Sequence, residues 1–296
     1  MMNELELIDD LVESLQQNKP NLATVKNSET KEQFFQGVFE PMSVKYEPHV
    51  LKNLRVLINH HLFNNQVGVD AVVHFLKQRN HYDSIILERE KVDAFDSTYG
   101  TKTGVIESTF ANRDFTSDYE LLNCTRTVPA GVKTMRKALD KLEKMDINLK
   151  DYQFMDVGSG MGRNLLIASL FPFKSVFGVE ISQGINDIAR NNIELFSDPE
   201  QKCFNVKSFA SDILDFEMPN DNMVMFFFEP FSQSVFSKFY ARMLQKMNAG
   251  HHYVLIFLGG VFQEIQGPGS LFELMETSNA EQIGGSNYEL HFYRKK

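Results

Sequence analysis

The chain has 296 residues, 43% of them hydrophobic and 23% charged, a balance that suits a globular protein with material for one large core or two modest ones. Its 30 basic and 39 acidic residues leave a net charge of −9, which argues against a broad nucleic-acid-binding face, because phosphate contacts need clustered Lys and Arg. Two cysteines, Cys124 and Cys203, are too few for a disulfide framework and suit a reducing compartment.

The acidic start, M-M-N-E-L-E-L-I-D-D, lacks the basic opening of a signal peptide. No apolar run approaches the roughly 20 residues that span a bilayer, so the expected location is cytoplasmic. Leu5, Ile8, Val12 and Leu15 fall at helical spacing, and Lys19-Pro20 is expected to end that first helix. Residues 29–39 read as a second helix. Pro41 and Pro48 then bracket an M-S-V-K-Y-E stretch expected to be extended. Leu51, Leu54, Leu57 and Ile58 mark a helix ending near Asn64-Asn65, and Val69, Val72, Val73 and Leu76 mark another. Residues 1–85 therefore read as a mainly α-helical module, a surface able to mediate a dimer. His60 and His61 are adjacent, so on a helix they point about 100° apart, whereas two ligands on one helix need a spacing of three or four. No metal site is expected.

Residues 86–129 read as a connection rich in turn formers, D-A-F-D-S-T-Y-G-T-K-T-G, and a loop of that length suits a lid. A basic amphipathic helix over 131–145 follows. Its Val132, Met135, Leu139 and Leu142 face a core, and its Lys133, Arg136, Lys137, Lys141 and Lys144 offer a docking face for an acidic partner.

From residue 153 onward strand alternates with helix. Strands are expected at 154–157, 175–179, 204–209, 223–228 and 251–258, with closing strands at 281–283 and 288–293. Helices are expected at 164–170, at 184–196 with Ile185, Ile188, Ala189 and Ile193 on one face, and from a Ser232 cap to about 247. The alternation predicts an α/β fold, a Rossmann-like, doubly wound, seven-stranded, mostly parallel sheet over residues 130–296. Gly158, Gly160 and Gly162 turn the first strand into its helix, exposing backbone N–H groups at a helix start. Glu180 follows about 20 residues later, at the offset of a ribose-binding acid. Together they make a nucleoside site.

D-V-G-S-G-M-G at 156–162, V-E-I-S at 179–182, S-D-I at 211–213 and F-E-P-F at 228–231 together resemble the class I S-adenosylmethionine-dependent methyltransferases. Arg163 stands where a dinucleotide fingerprint needs its third glycine. Upstream, F-D-S-T-Y-G-T-K-T-G at 95–104 is similar to the F-D-x-x-Y-G-x-x-T element of a group of bacterial methyltransferases, whose turn reads G-S-G-K-G-R and whose fourth strand ends in N-P-F. Here Met161 replaces the Lys and Glu229 the Asn, so acceptor chemistry is not carried over. The same upstream element, with D-V-G-S-G, also resembles the non-SET histone-lysine methyltransferases, in which a comparable loop covers the methionine part of the cofactor.

The resemblance implies S-adenosylmethionine as cofactor. Asp156 would hold its ammonium group, and the turn of Gly158, Ser159, Gly160 and Gly162 would bring the Ser159 and Met161 amides to its carboxylate and ribose. Glu180, with Ile181 beside it, would take the ribose hydroxyls. Asp212 and the Ile213 N–H would read the adenine, and Tyr99 and Thr103 would close over the cofactor from the upstream loop. Glu229 and Phe231 fall where members face the transferred methyl. Glu229 would orient or deprotonate an N or O nucleophile on a small molecule or a protein side chain, and Phe231 would pack against sulfonium or substrate or else belong to the core. Two other readings remain: a non-catalytic S-adenosylmethionine-binding or interaction protein on the same fold, and an NAD-dependent oxidoreductase.

Overall fold

The structure, a computed structural model, describes residues 4–106, 121–122, 127–247, 250–283 and 286–296. The chain forms two compact units, the first built on Met1–Glu88 and the second on Arg89–Ile106 and the residues from Thr127 onward.

The first unit is helical: α1 (Glu4–Leu22), α2 (Ser28–Phe39), α3 (Pro48–Asn59) and the greater part of α4 (Val69–Asp93). Their apolar stripes meet in one core that includes Leu7, Ile8, Leu11, Phe34, Val38, Leu54, Ile58 and Leu76. Each such side chain withdrawn from water contributes about 1.5–3 kcal/mol. Asn27 and Thr30 close a reciprocal capping box that starts α2.

Two local expectations fail here. Helix α1 runs through Pro20, because a proline near a helix end removes only one hydrogen bond and Asn18 holds the last turns, its amide donating to the Ser14 carbonyl at 3.0 Å and the Gly37 carbonyl at 3.1 Å. Pro41 opens a 3-10 turn, Pro41–Val44, where an extended segment was expected, since its fixed φ is already that of a helix start. The histidine pair lies in a π-turn, His60–Asn64, that follows α3.

Helix α4 continues well past residue 85 into the second unit. Its I-I-L-E-R-E-K-V-D tail is made of helix formers, and it stops only at Ala94, whose φ of 50° breaks the helical path. The short helix α5 (Phe95–Tyr99) follows and ends at Gly100. Part of the expected connecting loop is thus helix. Residues 107–120 and 123–126 of that connection lie outside the described residues.

The second unit carries a seven-stranded sheet of order β3-β2-β1-β4-β5-β7-β6. Its strands are β1 (Gln153–Val157), β2 (Ser175–Glu180), β3 (Val206–Ala210), β4 (Met223–Phe227), β5 (Tyr253–Leu258), β6 (Phe272–Ile283) and β7 (Ser286–Lys295). The first five are mutually parallel, and β7 runs antiparallel between β5 and β6. Strand β4 is buried along its whole length, as a central strand covered on both faces must be.

One face packs against α6 (Val132–Lys144) and α7 (Arg163–Ala168) through Met135, Leu139, Leu165 and Leu166. The other packs against α9 (Gln233–Lys246) and α10 (Gln263–Gln266) through Phe236, Phe239, Met243 and Ile265. Helix α8 (Gln183–Leu195) starts at Ser182, whose hydroxyl accepts from the Ile185 N–H at 3.3 Å. Ser232 precedes α9 without making a side-chain cap; its hydroxyl meets that of Ser234.

Strand β6 begins about nine residues earlier than expected, because register shifts at Leu274/Glu276 and Asn279/Glu281 break the alternation that would mark it in the sequence. The basic face of α6 is also largely used inside the unit. Lys141 pairs with Glu276, Lys137 donates to the Asn279 carbonyl, and Arg136 lies 3.8 Å from Glu200.

Candidate active site

The order of strands reverses between β1 and β4, and in an open α/β sheet the crevice beyond that point is where ligands bind. The glycine turn fills the end of β1 there. Its backbone is clipped to β2, with the Gly158 and Ser159 N–H groups donating to the Val179 carbonyl at 2.9 and 3.1 Å. The Ser159 amide, expected to face a ligand, is thus already engaged. The Ser159 hydroxyl, by contrast, is buried with no partner among the described residues.

Two glycines are fixed by what surrounds them. Gly158 has φ +75°, and a Cβ there would come within 2.7 Å of the Pro230 Cβ. Gly160 has φ +52°, and a Cβ there would lie 2.8 Å from the Thr127 Cγ2. Both lie in the left-handed region that disfavours side chains. Gly162, the N-cap of α7, sits against Ala189 of α8. The Gly158–Pro230 approach also places the glycine turn directly beside the E-P-F turn.

Two acids converge on this turn. Glu180, at the end of β2, accepts the Gly160 N–H at 3.0 Å with Oε2 and the Ser182 N–H at 3.0 Å with Oε1. Asp156 is 2% exposed, the one acid in β1 and flanked there by Met155 and Val157. Burial pushes its carboxyl up to about 8, a hydrogen bond from Asn164 works against the rise, and the Glu180 charge adds to it. That Asn164 Nδ2 bond is 3.1 Å long, and Asn164 Oδ1 is buried with no partner among the described residues. Ile181 is half-buried beside Glu180.

Asp212 turns its carboxylate onto its own loop, Oδ1 accepting the Leu214 N–H at 2.8 Å, while its carbonyl accepts from Asp215 and Phe216. Ile213 buries its side chain in the core of that face. Glu229, immediately after β4, is exposed and has φ +43°, a strained value for a residue with a side chain; its Oε1 lies 3.4 Å from the Gly260 N. Phe231 packs its ring against Phe236, Phe239 and Phe262.

The described part of the upstream element is held by partners within the second unit. Tyr99 packs its ring at a tilt against Phe95 and Phe196, and its hydroxyl donates to Asp198. Thr103 is buried between Asp96, to which its hydroxyl donates at 2.6 Å, and Arg163, whose Nε donates to the same hydroxyl at 2.8 Å. Sequence reasoning missed Asp96, Asn164 and Asn192. The first stands in a quoted motif without a stated role, and the asparagines lie among apolar positions on helices where hydrophobic spacing does not report a buried amide.

Residues 132–225, which include β1 to β3, the start of β4 and the glycine turn, match the family described as "Histone methylation protein DOT1". The second unit has a Rossmann-like, doubly wound fold with a seven-stranded, mostly parallel sheet. S-adenosylmethionine is the cofactor that the sequence resemblance implies. No curated protein matches the chain.

Among solved structures, the S-adenosylmethionine-bound magnesium protoporphyrin IX methyltransferase of Synechocystis PCC 6803 is 11% identical, with 73% of this chain and 97% of that one covered and a TM-score of 0.42. The tRNA methyltransferase TrmK of B. subtilis is 12% identical over 55% of this chain and 66% of that one, with a TM-score of 0.41. An S-adenosylmethionine-dependent methyltransferase of Anabaena variabilis is 14% identical over 55% and 86%, with a TM-score of 0.39.

The residues present fit the cofactor on their own chemistry. A buried carboxyl and two unpartnered buried oxygens, Ser159 Oγ and Asn164 Oδ1, lie around a turn that excludes side chains. The Glu180 carboxylate stands at the ribose offset, tied to the turn through the Gly160 N–H.

Proposed function

We propose that this protein is an S-adenosylmethionine-dependent methyltransferase that alkylates an N or O nucleophile, on a small molecule or a protein side chain, beside Glu229. The observation that carries this reading is the approach of Pro230 to Gly158, which sets the strained Glu229 turn against the cofactor turn. Backbone strain of this kind costs on the order of 1–3 kcal/mol and persists where function requires it.

The bound cofactor supplies a methyl carbon made electrophilic by a sulfonium. Asp156 receives the cofactor's ammonium group, Glu180 the ribose hydroxyls, and the Asp212-Ile213 turn the adenine. Glu229 orients the nucleophile and takes its proton, so the chain contributes chiefly alignment and proton removal. Phe231, wedged between aromatic neighbours, fixes the course of the backbone after Glu229.

The test is transfer of labelled methyl from S-adenosylmethionine into acceptors of a cell extract. Intact protein transfers label; Glu229→Gln binds S-adenosylhomocysteine normally and transfers at least about a hundredfold less, the scale of a lost general base. Cofactor binding without transfer to any acceptor overturns the catalytic reading and leaves a ligand-binding protein.

A further inference from the structure

Two sequence elements that lie far apart, F-D-S-T-Y-G-T-K-T-G and the G-M-G-R end of the glycine turn, are joined in the structure by a closed polar network. Asp96 is its centre. Its carboxylate accepts from the Thr101 hydroxyl at 2.8 Å, the Thr103 N–H at 2.7 and 2.9 Å, the Thr103 hydroxyl at 2.6 Å and the Gly104 N–H at 2.7 Å. Burial opposes the charge on Asp96, but the bonds from Thr103, Gly104 and Thr101 outweigh it and hold the carboxyl below its usual range.

Arg163, the first residue of α7 and 3% exposed, reaches the same network from the glycine turn. Its Nε donates to Thr103, its Nη2 pairs with Glu90 and lies 4.0 Å from Asp96, and its guanidinium covers the Phe95 ring at 5.5 Å.

Asn192 of α8, fully buried, closes the other side. Its Oδ1 accepts the Lys102 N–H at 2.8 Å, and its Nδ2 donates to the Lys102 carbonyl and to the Met161 carbonyl, both at 2.9 Å. A side-chain amide that takes both the donor and the acceptor of one backbone residue replaces a neighbouring strand. By also bonding Met161, it ties segment 100–104 to the glycine turn itself.

We infer that Asn192, Arg163 and Asp96 are positioning residues that hold segment 100–104 as a built wall beside the cofactor turn, so that cofactor binding does not have to order it. The inference rests on the reading of the glycine turn as the S-adenosylmethionine site. A segment already in its bound conformation costs the ligand no ordering entropy, so removing the ties weakens affinity without removing a ligand contact.

Amide hydrogen exchange on the intact chain, with and without S-adenosylhomocysteine, tests this beside calorimetric titration of the same ligand. In the unaltered protein the amides of Lys102, Thr103 and Gly104 are protected before ligand is added. In Asn192→Ala these amides exchange freely without ligand and are protected by it, exchange elsewhere in the second unit is unchanged, and Kd rises about tenfold or more with stoichiometry still one. Asp96→Asn, which keeps the shape and removes the charge, does the same from the opposite side and serves if Asn192→Ala does not fold. Free exchange of the segment in the unaltered protein until ligand is added overturns the inference while leaving the cofactor reading intact. So does an unchanged Kd in folded variants whose segment has lost protection. Failure of the unaltered protein to bind S-adenosylhomocysteine overturns the reading beneath.

Discussion

If Asp156 receives the ammonium group as proposed, cofactor binding depends on pH in a direction set by its raised pKa. Its carboxyl rises from 3.8 to about 8 when the chain folds, so between those values the folded protein keeps a proton that the unfolded chain releases. The stabilising contribution is therefore complete below about pH 4 and lost as pH climbs toward 8. The rise is about four pH units at 1.36 kcal/mol each, which sets the scale on the order of 5 kcal/mol for the ligand-free protein. Because Asp156 and Glu180 interact, this is a property of the pair.

An ammonium-bearing ligand needs the ionised carboxylate, so S-adenosylhomocysteine binding expels a proton below about pH 8. Affinity then tightens by up to about tenfold per pH unit from 6 toward 8 and levels beyond it. Calorimetry in two buffers of different ionisation heat reads the released proton directly. Asp156→Asn flattens the pH dependence, weakens binding, and raises the melting temperature of the ligand-free protein at pH 7. A Kd independent of pH between 6 and 8, with no proton released, refutes the reasoning.

Glu229→Gly relieves a φ of +43°, so it should raise stability by about 1 kcal/mol, roughly 2–4 °C in melting temperature, while abolishing methyl transfer; a lower melting temperature contradicts the strain. Gly158→Ala forces a methyl to within 2.7 Å of Pro230 and should weaken S-adenosylhomocysteine binding by about tenfold or more, at a stability cost of about 1–3 kcal/mol; unchanged calorimetry means that the two turns do not abut. In the helical unit Leu54, 0% exposed, should cost about 2–5 kcal/mol on substitution by Ala in urea unfolding, and a loss under about 1 kcal/mol argues that it is not in the core.

The class of fold and the glycine turn were legible because both rest on short-range chemistry. A strand, three glycines and an acid at a fixed offset are constrained by backbone geometry, and the fully apolar M-V-M-F-F declares a covered strand. What sequence spacing did not show depends on tertiary partners. Nothing local distinguishes Asn192 from a solvated helix residue, yet it is buried against Lys102 and Met161, ninety and thirty-one positions away. The place of Tyr99 is set by Phe95, Phe196 and Asp198, the last ninety-nine positions away, which its motif does not announce. Strand β6 was hidden by bulges that interrupt its alternation. Helix α4 was cut short in the reading because its charged tail resembles a connection.

The central claim is that the glycine turn, Glu180 and Asp156 form an S-adenosylmethionine site, and calorimetric titration of the intact chain with S-adenosylhomocysteine tests it most directly. The account predicts saturable binding at one site, lost in Gly160→Asp, whose side chain would enter the turn at φ +52° against Thr127. No binding by the intact chain, or equal binding by Gly160→Asp, contradicts it.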